Sequence, residues 1–185
     1  MAVPTTEEDF ACQVASYPSV AECRLSPTIY EQRSVLLIQP EDIPNNLTAT
    51  TLSVANGLPI PPIVFIDNQK GCLHAFHYLG AGLAGHSGIM HGGLLAVLLD
   101  ECMGRACFSL LPNRIAVTAS LNISYRAPMQ VPGVIVIQAA TETVEGRKAY
   151  VNANVKKLGT SDVLIATATA LFIEPQGADL MKKLM

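Results

Sequence analysis

The feature that most limits what this chain can become is an apolar stretch at residues 92–111 with three charged residues set into it, Asp100, Glu101 and Arg105. The charges rule out an uninterrupted membrane span, because an ionised side chain deep in a bilayer is costly. The stretch reads instead as a buried helix at about residues 92–110, apolar on nearly every side. Such a helix has to be enclosed. A lone sheet covers one face only, so the pattern calls for a sheet wrapped around the helix and for a second subunit.

The sequence after the helix supplies that sheet. From Arg114 the period changes to two, with Ile115, Val117, Ala119, Leu121, Ile123 and Tyr125 on one face and Thr118, Ser120, Asn122, Ser124 and Arg126 on the other. Further strands are expected at residues 134–144, 148–158 and 163–173, with turns at 128–133, Glu145-Gly146 and 159–162. These four strands, joined by short turns, have to be antiparallel, since parallel neighbours need long crossovers. Before the helix, Ile63-Val64-Phe65-Ile66 and residues 72–79 flank a turn and read as a hairpin. The expected class is therefore α+β. Residues 1–60, with scattered Pro, a capping box at Thr5 and Glu8, and an apolar run at 35–38, form an N-terminal arm. Residues 61–175 form the domain and 176–185 a short tail with room for a helical turn.

Composition narrows the function. Half of the 185 residues are hydrophobic and 15% are charged, which suits one well-filled core. A net charge of −3 without a dense Lys/Arg run excludes nucleic acid as a partner. Five cysteines with no Cys-x-x-Cys pair indicate a reduced, intracellular protein. The acidic start is unlike a mitochondrial presequence and the chain end is not a peroxisomal signal, so the expected address is the cytosol.

Asp100 is the first candidate for chemistry. A carboxylate inside an apolar helix costs several kcal/mol unless paired, and its helical neighbours Ala96, Val97, Met103 and Gly104 cannot pair with it. Glu101, by contrast, has Arg105 four residues on and is expected to form a structural ion pair. His91-Gly92-Gly93 brings free N–H groups to the positive end of the helix, a place for an anion or a developing oxyanion. An ordinary Gly-rich helix entry capped by His91 accounts for the same residues. Gly92 and Asp100 stand about 12 Å apart along one helix, too far to act on one carbonyl. A two-fold dimer that sets Asp100 of one chain beside the helix start of the other resolves this.

Other patterns fail. Gly80-Ala81-Gly82-Leu83-Ala84-Gly85 matches the dinucleotide fingerprint, but no helix opens at its third glycine and no βαβ unit follows. Gly85-His86-Ser87-Gly88-Ile89 lacks the last glycine of a nucleophile elbow. His74 and His77 fall on opposite faces of a strand, so no metal site is expected. Cys102 and Cys107 read as small core residues.

The block from His91 to Asp100, followed by residues 118–128, resembles the hotdog-fold acyl-CoA thioesterases of the PaaI-like type, over residues 65–173. The run at 85–91 is similar to the fungal and animal relatives that carry an N-terminal extension. The resemblance implies a hotdog fold and hydrolysis of an acyl thioester at a dimer-interface site, with no cofactor and no metal. It implies Asp100 as general base or nucleophile, Gly92 as the oxyanion N–H donor, His91 orienting the site and Thr118, seven residues before Tyr125, beside the carboxylate. Many relatives carry Asn or Gln where this chain has Gly85, and His86 stands next to it to substitute. Gly93 and His86 are expected to touch substrate. Arg126, Arg147 and Lys148 are available for the phosphates of coenzyme A, although strand-end charges of this kind are also simply solvated. Two other functions fit the same frame: a hotdog dehydratase or hydratase acting on a thioester-borne acyl chain, and a non-catalytic acyl-CoA-binding module. The acyl group, the choice between coenzyme A and a carrier protein, and dimer against tetramer are not encoded legibly.

Overall fold

A computed structural model describes residues 3–159 and 163–184. The elements run α1 (Glu7–Ala15), α2 (Pro18–Leu25), β1 (Ile29–Gln32), β2 (Ile63–Asp67), β3 (Cys72–Leu79), β4 (Ala84–His86), β5 (Ile89–Met90), α3 (Gly92–Phe108), β6 (Val117–Tyr125), β7 (Gly133–Glu145), β8 (Lys148–Lys157) and β9 (Val163–Ile173). The seven-stranded antiparallel sheet has the order β1-β2-β3-β7-β8-β9-β6, and α3 lies against it. This is the expected α+β hotdog arrangement. The turn expected at residues 159–162 lies, beyond Gly159, outside the described residues.

The α3 side chains Leu95, Leu98, Leu99, Cys102, Met103 and Cys107 are at most 1% exposed, and they pack on Leu73, Ala75, Ile135, Ile137, Val151 and Phe172 of the sheet. Cys102 and Cys107 serve as core residues, as expected. Burial this complete makes each large side chain worth about 2–5 kcal/mol against truncation to Ala.

Four expectations need correction. First, β6 does not sit beside β7; it crosses to pair with β9, while β7 continues the sheet from β3. All pairings are antiparallel, but residues 126–132 have to span the β8–β9 pair, and seven extended residues reach about 23 Å, more than the roughly 15 Å of three strand spacings.

Second, β6 does not keep one parity. The register slips between Thr118 and Ser120, so that Thr118 faces Phe172 while Leu121, Ile123 and Tyr125 face Ala170, Ala168 and Ala166. All four partners belong to the inner core. One extra residue in the strand thus puts Thr118 on the same face as Leu121, Ile123 and Tyr125, where strict alternation set it on the other.

Third, the described part of the N-terminal segment, residues 3–60, is integral to the fold. β1 extends the sheet, and Phe10, Val14, Tyr17, Val20 and Cys23 of the first two helices and their junction cover the outer face of β2, β3 and β7 at Phe65, Phe76, Val134 and Val136. Tyr17 meets Phe76 edge-on at 5.4 Å. The tail also folds back: Leu184 packs on the inner core, its carbonyl accepting from Leu37 N at 3.0 Å.

Fourth, the capping box stands one position later than expected. Thr6 Oγ1 accepts from Asp9 N at 3.0 Å, and Asp9 Oδ2 accepts from Thr6 N at 3.2 Å. Asp9 also takes both donors of Thr5, which the pair starting at Thr5 could not match.

Candidate active site

α3 places Asp100 half-buried on the side of the edge strand β6. There Thr118 Oγ1 donates to Asp100 Oδ1 at 2.5 Å. The slip in β6 makes this contact, because it turns Thr118 toward the helix. A hydroxyl can donate once, so the bond holds one carboxylate oxygen and leaves the other available to a water or a substrate.

At the helix start, His91 Nδ1 accepts from Gly93 N at 2.9 Å. His91 is therefore the cap, and the Gly93 N–H expected to meet substrate is already taken. With Nδ1 an acceptor, the ring's other nitrogen, Nε2, is the one that can donate, and it has no hydrogen-bond partner among the described residues. The Gly92 N–H has no acceptor among the described residues. Tyr125 Oη donates to the Gly92 carbonyl at 2.8 Å, and a Cβ on Gly92 would stand 3.2 Å from that hydroxyl. Gly85 is packed against His91, where a Cβ would come within 2.7 Å of the ring. The sequence offered Tyr125 only as a landmark; its hydroxyl ties β6 to the helix start. Gly92, Tyr125, Arg126, Met90 and Pro128 line a cleft of about 310 Å3 at this end.

The three cations do not form one patch. Arg126 belongs to the cleft beside Gly92. Lys148 pairs in register with Ile173, as does Val117 at the opposite end of β6, so the strand's length, about 27 Å, separates the two groups. Arg147 Nη1 donates to the Glu174 carbonyl at 2.8 Å, while the Glu174 carboxylate takes both the backbone N–H and the side-chain amide of Asn113. Arg147 thus anchors the chain beyond β9. His86 is exposed in the small β4–β5 ribbon.

The expected Glu101–Arg105 ion pair does not form. Glu101 Oε1 accepts from Thr48 Oγ1 at 2.8 Å, and Arg105 turns to Asn68, donating through Nη1 at 3.0 Å, with no partner for its Nε among the described residues. Burial pushes the Glu101 carboxyl up from its ordinary value of 4.5; the Thr48 bond holds it down in part, and the charge of Asp100 adds to the rise. His77 and His74 do face opposite sides: His77 is buried beside Cys102, with Sγ 3.9 Å from Nε2, and His74 meets Ser19 on the outer face. Burial lowers His77 to about 4, so its ring is neutral.

No helix among the described residues is long and apolar enough to cross a membrane. Residues 87–163 match the thioesterase superfamily. An uncharacterized protein of Schizosaccharomyces pombe is 34% identical over 128 residues, 68% of this chain and 73% of that protein. The mouse protein named acyl-coenzyme A thioesterase THEM4 is 27% identical over 88% of this chain and 71% of its own length. The crystal structure of a phenylacetic acid degradation-related protein of Ralstonia eutropha superposes with a TM-score of 0.56 at 23% identity, over 68% of this chain and 88% of that one. The chain spans only 55% of a Candida albicans relative named as mitochondrial and 64% of a second Schizosaccharomyces pombe relative.

Proposed function

Because this chain belongs to the thioesterase superfamily, we propose that it hydrolyses an acyl-CoA thioester to a free acid and coenzyme A, with Asp100 as general base or nucleophile. The observation that carries this is the half-buried Asp100 carboxylate held by Thr118 at 2.5 Å. In the base route Asp100 takes a proton from water as the water oxygen attacks the thioester carbonyl. The carbonyl oxygen gains the negative charge, and the Gly92 N–H at a helix start stabilises it. Collapse of that intermediate breaks the C–S bond, and the leaving thiolate takes the proton back from Asp100. In the nucleophile route Asp100 attacks the carbonyl itself and the C–S bond breaks, expelling the coenzyme A thiolate and leaving an acyl-aspartyl anhydride; water then hydrolyses the anhydride to the free acid, restoring the Asp100 carboxylate and giving up a proton that neutralises the thiolate. His91 orients through Nε2–H, and Thr118 fixes the carboxylate rotamer.

Self-association is part of the reading. Within one helix Gly92 and Asp100 are about 12 Å apart, so the oxyanion donor for one Asp100 comes from Gly92 of a second copy. Two exposed features suit such a copy: the half-exposed α3 stripe of Ala96, Val97 and Asp100, and β6, a nine-residue edge strand with Val117 49% and Tyr125 56% exposed. An uncovered edge of this length invites pairing. Arg126, in the cleft beside Gly92, is the cation best placed for a coenzyme A phosphate. Five free thiols fit a reducing compartment, which the cytosol and the mitochondrial matrix both provide.

The test is free-thiol release from a panel of short, long and aromatic acyl-CoA esters by the wild type and Asp100→Asn at matched oligomeric state. Release that collapses in the variant supports the reading. Undiminished release in the variant removes Asp100 from the chemistry, and no release from any ester removes the activity.

A further inference from the structure

Tyr125 brings to the start of α3 a hydroxyl that the proposed chemistry does not use. Its backbone is fixed to β9: Tyr125 pairs with Ala166, and the next two amides, of Arg126 and Ala127, both donate to the Ile165 carbonyl, at 2.8 and 3.2 Å. From this anchored strand end the side chain reaches across and donates to the Gly92 carbonyl at 2.8 Å. We infer that Tyr125 is a positioning residue for thioester hydrolysis: its hydroxyl and the His91 ring hold the Gly92–Gly93 peptide from both ends, so that the Gly92 N–H keeps one direction. The inference rests on the thioesterase reading above.

Two consecutive glycines have more backbone freedom than any other pair, a poor support for a donor that has to meet a developing oxyanion at a fixed angle. Here the peptide planes on both sides of the Gly92 Cα are tethered. Before it, His91 N donates to the Leu83 carbonyl at 2.8 Å, and the His91 carbonyl accepts from Leu94 N at 3.1 Å. After it, the Gly92–Gly93 plane is held at its oxygen by Tyr125 and at its nitrogen by His91 Nδ1, at 2.9 Å. The Gly92 N–H stands between these bonds and has no acceptor among the described residues. Fixed in this way, it reaches the transition state already aimed, at no cost in reorganisation.

Both holders press close on the glycine pair. A Cβ on Gly92 would stand 3.2 Å from Tyr125 Oη, and one on Gly93 would stand 3.0 Å from both Nδ1 and Cε1 of His91. Glycine at each position is what lets the phenol and the imidazole approach the peptide. The Tyr125 bond serves orientation more than folding. Tyr125 is 56% exposed, and where water can replace a lost partner a hydrogen bond adds little to stability. Its one proton is engaged on the Gly92 carbonyl, so the hydroxyl acts through Gly92 and not on the substrate.

The test pairs a spectroscopic signature with kinetics. Gly92-Gly93 is the only Gly-Gly pair in the sequence, so protein carrying carbon-13 at the glycine carbonyl and nitrogen-15 at the glycine amide gives a single carbonyl-to-amide NMR correlation, from Gly92 to Gly93. In Tyr125→Phe, which keeps the ring on the edge strand, the Gly92 carbonyl resonance is expected to move upfield as it loses a hydrogen bond. Thiol release from the most active acyl-CoA ester is expected to show kcat lowered about two- to tenfold, with KM and the thermal midpoint little changed. A carbonyl resonance that does not move overturns the inference whatever the kinetics, and so does a kcat equal to that of the wild type or a loss confined to KM. If the wild type releases no thiol from any ester, the thioesterase reading fails and a role in turnover fails with it; if the wild type is active and Tyr125→Phe matches it, the positioning role alone fails.

Discussion

Asp100 and Glu101 are consecutive on one helix, yet a rotation of about 100° puts them in two different settings. Asp100 faces the uncovered strand β6, where a single hydroxyl holds it. Glu101 faces the N-terminal segment, which roofs it through Thr48 and encloses it with His77 and Leu98. The first carboxylate is accessible and restrained, as a reacting group has to be. The second is desolvated and pushed toward its neutral form, as befits the wall of an apolar chamber. Position on the helix, more than residue type, sets the surroundings of each carboxylate.

The sharpest way to break this contrast is to neutralise each side in turn. Asp100→Asn is expected to lower turnover of a short-chain ester on the order of a hundredfold or more, with the thermal midpoint little changed, whereas Glu101→Gln should leave that turnover close to wild type. Thiol release and circular dichroism on both variants check it, and equal losses would erase the distinction.

Next in size is acid sensitivity on the Glu101 side. His77 binds its proton in the unfolded chain below an ordinary 6.5 but in the folded protein only near 4. The stability it gives is therefore present above pH 6.5 and lost as the pH falls toward 4, on the order of 3 kcal/mol. Glu101 acts in the opposite sense. Its folded value lies above the unfolded 4.5, so its contribution is present below 4.5 and is lost as the pH rises through the folded value. Urea unfolding across this range should show the acid loss shrink in His77→Gln, and the loss on raising pH vanish in Glu101→Gln.

A smaller effect belongs to Thr118. Removing its hydroxyl in Thr118→Val takes a hydrogen bond from a charged acceptor, worth about 1.5–3 kcal/mol. Turnover should fall on the order of tenfold or more, with Thr118→Ser restoring much of it. The smallest is Thr48→Val, expected to cost about 1 kcal/mol of stability and to leave short-chain turnover unchanged; a denaturant midpoint checks the first and thiol release the second.

How far these two settings could be read from the residues differs between them. His91-Gly92-Gly93, the apolar helix and the isolated Asp100 are local patterns, and so was the pairing of Thr118 with Asp100 through the family resemblance. The Glu101 side rests on a contact with Thr48, 53 residues away, which no local periodicity carries. The i to i+4 spacing suggested Arg105 as its partner, but Asn68 at the β2–β3 turn gives the guanidinium an acceptor and Thr48 takes the carboxylate. Two short amphipathic helices at the N-terminus looked like an arm because their partners, Phe65, Phe76 and Val136, lie on the outer face of strands far along the chain. The exchange of β7 for β9 beside β6 is of the same kind: short turns fix direction, not adjacency.

The slipped register of β6 has a bearing on which sequence changes the strand can absorb. In a library of substitutions scored for folding and turnover, the sensitive side chains should fall on Thr118 before the slip and on Leu121, Ile123 and Tyr125 after it, a change of phase centred on Ala119. Deleting Ala119 would then be worse than any replacement of it. A strand restored to strict alternation could keep Thr118 on Asp100 or Tyr125 on Gly92, but not both.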